Sequence, residues 1–190
     1  LASMVFATGM AAIGSTLLSL LHSGDHIVSS AYLFGNTNSL FNTLNSLGIE
    51  ITFVDATDVA NVEAAIKRNT KLVFVETIAN PVTQIADLSA IGNLCEKHKL
   101  IYFVDNTMTS PCLFLPIKVK ASLIINSLTK YIGGHGNALG GCVTDTGLYD
   151  WSNYNNISDN YKNKDSVKWG ITQIRKKGLR DFGAALAPEA

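Results

Sequence analysis

The sequence predicts an α/β fold, a mainly parallel sheet flanked by helices. Short, nearly all-apolar runs rich in β-branched and aromatic residues alternate with amphipathic segments, which is the pattern of crossover units. The runs carry little polar alternation, so helices are expected on both faces of the sheet. Of the 190 residues 47% are hydrophobic and 16% charged, enough to bury one substantial core but short for two domains.

Taken in order, the first run spans residues 1–6 and leads through Thr8-Gly9 into an apolar helix over 9–21. That helix is interrupted by Gly14, Ser15, Thr16 and Ser19 and has no basic flank, so it reads as neither a membrane span nor a signal peptide. Gly24 and Gly48 punctuate the ends of this helix and of one over 37–47, as left-handed caps would, and the second strand spans 26–30. The third strand, 50–54, is followed by a helix over 59–67, and the fourth, 71–76, closes on Glu76. The helix over 88–98 has the clearest pattern: Asp87 is placed to cap it, and Leu88, Ile91, Leu94 and Cys95 fall on one face. Strands over 100–105, 121–126 and 139–144 complete the sheet. From 150 to 164 the composition turns to Asn, Asp, Ser, Tyr and Lys, the signature of a polar surface insertion or loop.

The charge balance excludes several functions. Fifteen basic and fifteen acidic side chains cancel, leaving no field to recruit nucleic acid or an anionic membrane. Arg175-Lys176-Lys177 reads as a solvated face. Cys95, Cys112 and Cys142 are odd in number, far apart and set in apolar stretches, which fits reduced thiols and a cytoplasmic location better than a disulfide framework. Cys95 and His98 form one C-x-x-H pair with no second pair at zinc-like spacing. There is no G-x-x-x-x-G-K-[ST] loop and no G-x-S-x-G elbow, and the glycines from Gly134 to Gly140 miss the G-x-G-x-x-G spacing.

The chemistry concentrates around Lys130. It lies in Ser127-Leu128-Thr129-Lys130-Tyr131-Ile132-Gly133-Gly134-His135-Gly136, between an apolar strand and a glycine-rich segment. The hydroxyls of Ser127 and Thr129 suit an anion, and the glycines admit close backbone approach to a flat ligand. Asp105 closes another apolar strand, where open α/β sheets place their ligands, although an aspartate there is equally suited to capping the next helix. The amides of Gly9 and Met10 head a helix whose dipole favours phosphate, although a glycine there also serves a plain tight turn. Phe34, beside Gly35 at a strand end, is either core or a ring that stacks on a ligand. His135 is open in the same way, between ligand contact and a structural hydrogen bond. A lysine amine, a carboxylate and an anion site are together what pyridoxal 5'-phosphate requires.

Four motifs, Ala7-Thr8-Gly9-Met10-Ala11, Leu33-Phe34-Gly35-Asn36-Thr37, Val104-Asp105-Asn106-Thr107 and Ser127-Leu128-Thr129-Lys130-Tyr131, resemble in order and spacing the large domain of the cysteine and methionine metabolism pyridoxal-phosphate enzymes. The resemblance covers essentially the whole chain. It implies the large domain of a fold-type-I transferase over 1–190, with Lys130 joined covalently to the cofactor and Asp105 paired with its ring nitrogen. It also implies that the amides of Gly9 and Met10 and the hydroxyls of Ser127 and Thr129 hold the phosphate, with Phe34 on the ring face and Asn80 near the phenolic oxygen.

Within the family, residues 178–186 and the polar stretch from Asp150 resemble O-acetylhomoserine sulfhydrylases, whose substrates are that amino acid and sulfide or a thiol. Asn36 stands where methionine γ-lyases usually carry cysteine, and Phe34 where the family usually carries tyrosine. A homodimer or homotetramer is implied, because family sites are completed across subunits. The apolar start at Leu1 and the ending at Ala190, directly after a helix-like stretch, read as an excised piece truncated at both ends.

Overall fold

The structure, a computed structural model, describes residues 1–182. Seven strands form one sheet: β1 Ala2–Phe6, β2 His26–Ser30, β3 Glu50–Val54, β4 Thr70–Glu76, β5 Ile101–Asp105, β6 Leu123–Ser127 and β7 Gly141–Asp145. Their order is β1-β7-β6-β5-β4-β2-β3, with β7 antiparallel to both neighbours and every other pairing parallel. The strands expected from sequence are all present, with ends displaced by a residue or two.

The helices are α1 Gly9–Leu20, α2 Gly35–Ser46, α3 Val59–Ala64, α4 Leu88–His98, the single turn α5 Ser110–Leu113, and α6 Trp169–Arg175. Asp87 caps α4 as its position suggests, accepting from the Ala90 N–H at 3.1 Å. α3 stops short of the expected residue 67 because its last turn tightens and Thr70 Oγ1 accepts the Lys67 N–H at 2.7 Å. α6 has no counterpart in the sequence expectation.

Successive residues of the central strands pack into different layers, as two covered faces require. Leu72 and Phe74 of β4 and Ile101 and Phe103 of β5 join α1 and α2 side chains such as Leu17 and Phe41 in one core cluster. Val73, Val75, Tyr102 and Val104 join Ile91 and Leu94 of α4 in the other. Phe41, Phe74 and Phe103 meet edge to face, with centroids 5.2 and 5.3 Å apart. Each such ring contributes about 1.5–3 kcal/mol through burial.

The stretch over 150–164 departs from a plain polar surface insertion. Trp151, Tyr154 and Ile157 are buried and belong to the first core cluster. Trp151 Nε1 donates to Asp145 Oδ2 at 2.9 Å, and Tyr154 Oη donates to the Leu20 carbonyl at 2.7 Å. The indole lies flat on Gly170 of α6, where a Cβ would sit 2.1 Å from the ring. Polar residues between three apolar anchors conceal a segment that ties α6 to α1.

Of the segment 178–186 named above, residues 183–186 lie outside the described residues. Among the described residues no helix is long and apolar enough to cross a membrane.

Because β4, β5 and β6 run in parallel register, Glu76 sits beside Asp105 and Asp105 beside Ile125, with Ser127 just beyond. β1 points the same way, so the start of α1 reaches the same edge. The polar strand ends and one helix N-terminus therefore converge on one rim of the sheet.

Candidate active site

A cavity of about 660 Å³ opens at that rim. Gly9, Met10, Phe34, Asn80, Asp105, Ser127, Thr129 and Lys130 all line it, together with Glu76 and the apolar side chains Ile78 and Ile125. Residues separated by more than a hundred positions in sequence meet there because each lies at a strand end, a helix start or the loop that follows a strand at the same edge.

At one end of the cavity lies the start of α1. Thr8 caps the helix, its Oγ1 accepting from the Ala11 N–H at 3.0 Å, which leaves the amides of Gly9 and Met10 heading the dipole. Gly9 is pressed against β6: a Cβ there would lie 2.7 Å from Ser127 Cβ and 3.0 Å from Ser127 Oγ. Only glycine permits this approach of helix and hydroxyl. Ser127 holds its own place through its backbone N–H, which donates to Thr107 Oγ1 at 2.8 Å. Thr129 differs, since its hydroxyl donates to the Gly140 carbonyl at 3.2 Å and accepts the Gly140 N–H at 3.0 Å. It fastens the chain before β7, so contact with an anion requires it to exchange one of these bonds.

Two carboxylates also stand side by side in the cavity lining. Asp105 Oδ1 accepts the Thr107 N–H at 2.9 Å, and burial raises its carboxyl above the ordinary range despite that bond. Glu76 is 6% exposed. Burial raises its pKa to about 7, with the Asp105 charge adding to the rise and the backbone bonds from Phe34 and Asn80 opposing it. No ion pair among the described residues involves either carboxylate. Buried carboxylates without a cation are costly to keep ionised, which is why both are held toward their protonated forms.

Glu76 was not singled out from sequence. Its Oε1 accepts the Phe34 N–H at 2.7 Å and its Oε2 accepts the Asn80 N–H at 3.1 Å. The signal was present: it closes an apolar strand as Asp105 does. Thr107, which bridges Asp105 and Ser127, was also passed over, because a threonine after Asp-Asn looks like ordinary turn sequence.

Lys130 occupies a π-turn, Leu128–Ile132, whose helical course is broken at the lysine itself (φ −88°, ψ −120°). The Gly133 N–H bonds to the Leu128 carbonyl at 2.8 Å and the Gly134 N–H to the Lys130 carbonyl at 2.7 Å, so the backbone on both sides is held while the side chain lines the cavity. Phe34 is half-buried immediately before α2. His135 does not line the cavity; its Nδ1 lies 2.7 Å from the Gly133 carbonyl, the structural alternative of the two left open. Among the described residues no group of His, Cys, Asp and Glu is placed to hold a metal.

The arrangement fits pyridoxal phosphate on two observations of the chain itself. One is a helix N-terminus kept free of a Cβ beside a serine hydroxyl, and the other is a buried carboxylate with no ion-pair partner among the described residues, lining the same cavity. Comparison with known proteins agrees. The profile of the Cys/Met metabolism PLP-dependent enzymes matches residues 1–190. The chain is 32% identical to O-acetyl-L-homoserine sulfhydrylase of Leptospira meyeri, with 98% of this chain and 47% of that protein aligned. It is 39% identical to L-methionine gamma-lyase of Fusobacterium nucleatum subsp. polymorphum, over 99% of this chain and 43% of the relative. The chain thus spans about half the length of the curated relatives it matches. The crystal structure of a putative O-acetylhomoserine (thiol)-lyase of Campylobacter jejuni, which contains a pyridoxyl-lysine monophosphate, superposes with a TM-score of 0.86 at 35% identity, covering 98% of this chain and 49% of that one. The match over the full sequence, the mainly parallel sheet and the cavity at its rim have one reading: this chain belongs to the pyridoxal-phosphate-dependent enzyme family of cysteine and methionine metabolism.

Proposed function

We propose that this chain is the cofactor-binding large domain of an enzyme that replaces the γ-acetoxy group of O-acetyl-L-homoserine with sulfide or methanethiol, giving homocysteine or methionine and acetate. The observation that carries the reading is the single cavity into which Lys130, Asp105 and the α1 terminus all open. When bound, pyridoxal phosphate supplies an electron sink for the charge left on an amino acid as its Cα proton departs.

The chain's own residues supply placement and proton movement. The Gly9 and Met10 amides and the Ser127 hydroxyl hold the phosphate. With the cofactor bound, the Asp105 carboxylate would hold a proton on the ring nitrogen, Phe34 would cover the ring, and Asn80 would serve the phenolic oxygen, since all three line the same cavity. Lys130 would anchor the cofactor, and its amine would carry the Cα proton, a role worth about 10²- to 10⁴-fold in rate. Phe34 has no hydroxyl, so proton transfer at that place falls to another group. Ile78 and Ile125 give the cavity an apolar wall beside these polar groups.

Asn36 lines the cavity at the place where methionine γ-lyases usually carry cysteine, which favours replacement over elimination. The 39% identity to a methionine gamma-lyase favours the second reading, γ-elimination. Product analysis separates them: acetate release that requires sulfide, with homocysteine as product, supports replacement. Release without sulfide, together with 2-oxobutanoate and ammonia, supports elimination. A homodimer or homotetramer and a reducing, cytoplasmic setting accord with this reading, the latter with the three free cysteines.

A further inference from the structure

We propose that Glu76 is a positioning residue of this site: one carboxylate that clamps the backbones carrying Phe34 and Asn80 and stands against Asp105, so that the walls of the ring pocket move as one body. The proposal rests on the cofactor reading above for its consequence, but its geometry stands in the chain alone. Phe34 belongs to the turn between β2 and α2, and Asn80 to the loop after β4. Neither turn makes a regular ladder with the other. Their common tie is the two Glu76 oxygens, at 2.7 and 3.1 Å from the two N–H groups. The carboxylate is 6% exposed, so both bonds are made away from water, where an ionised acceptor binds N–H groups most strongly.

The groups that face Glu76 are few. Asp105 approaches from β5 in register, Tyr32 from the loop after β2 shares a small void with it, and Lys130 lines the same cavity from the π-turn. Losing the Glu76 proton strengthens both clamps at once, and raising the charge at Asp105 opposes that loss. With the pKa near 7, the clamp titrates in the neutral range.

The test begins with the chain free of cofactor. The amide proton resonances of Phe34 and Asn80 are followed by NMR from pH 5 to 9; both are expected to move downfield with one shared midpoint near 7, and both to lose that transition in Glu76→Gln. Separate midpoints, or no movement in the wild-type chain, would overturn the clamp, and this arm needs no variant to fold.

Pyridoxal phosphate affinity is then measured by fluorescence. Glu76→Gln keeps one acceptor but turns an N–H donor toward the second amide, and is expected to weaken binding about tenfold above pH 7, with the difference from wild type narrowing below pH 6. Equal affinity of the two proteins across the range would overturn the link to the cofactor. If the wild-type chain takes up no cofactor at all, the cofactor reading fails, and the shared midpoint of the two amides still decides the clamp.

Discussion

Replacing Asp105 with asparagine separates what the site requires for binding from what the fold requires for stability. Asparagine keeps the shape and keeps an oxygen for the Thr107 N–H at 2.9 Å, so the substitution removes charge and little else. Burial holds the Asp105 carboxyl above its ordinary range. The folded chain therefore binds that proton more tightly than the unfolded chain, whose aspartates titrate at about 4. Stability that is present below that value is lost as pH rises toward the folded-state titration. The asparagine variant has no such loss.

In cofactor-free protein at pH 7 the variant should be more stable than wild type by about 1–3 kcal/mol, the scale of an uncompensated buried charge. At pH 4 the difference should shrink toward zero. Cofactor binding should move the other way, weakening about 10- to 100-fold through loss of a charge-assisted bond of about 1.5–3 kcal/mol. The Glu76 titration should also fall below about 7, since the neighbouring charge that raises it is gone. Urea unfolding with and without pyridoxal phosphate measures both effects. A variant that is less stable at pH 7 and binds cofactor as wild type does would refute the account of an orphaned carboxylate awaiting a cation.

Gly9→Ala places a Cβ 2.7 Å from Ser127 Cβ and should lower stability by about 1–3 kcal/mol. It should also erase most of the preference for pyridoxal phosphate over unphosphorylated pyridoxal, measured as a ratio of dissociation constants. Trp151→Ala removes a fully buried indole and one of the bonds to the Asp145 carboxylate, which keeps the Gly147 N–H at 2.9 Å, so urea unfolding should show a loss of about 3–5 kcal/mol. The cavity rim lies elsewhere, so the affinity for pyridoxal phosphate of whatever fraction remains folded should stay near wild type.

The central strands were legible in the sequence because β4 and β5 are buried on both faces and so read as nearly unbroken apolar runs; the edge strands β1 and β3 are partly exposed and were placed by their β-branched and aromatic residues. The cap at Asp87 was legible too, because capping needs a particular oxygen at a fixed offset, whereas the Thr8 cap was not singled out. α6 was not: it is seven residues long, carries no side-chain cap and follows a polar stretch, and its helical face is set by packing against α1 and Trp151.

At the site, residues with one evident chemistry were visible from sequence, above all Lys130 and Asp105. Glu76 escaped because its role depends on register: only the pairing of β4 with β5 sets it beside Asp105, and only folding brings the Phe34 and Asn80 amides to its two oxygens. Thr129 shows the reverse, a hydroxyl suited to phosphate by type that is already engaged with Gly140.

The claim on which the rest depends is that the Lys130 amine takes the cofactor covalently. The most direct test is to incubate the protein with pyridoxal phosphate, reduce with borohydride and map the modified peptide by mass spectrometry. The account predicts one pyridoxyl phosphate group on the peptide containing Lys130, and loss of both the label and the yellow absorbance in Lys130→Ala. A label spread over surface lysines such as Lys97 and Lys118, with Lys130 unmodified, would contradict it.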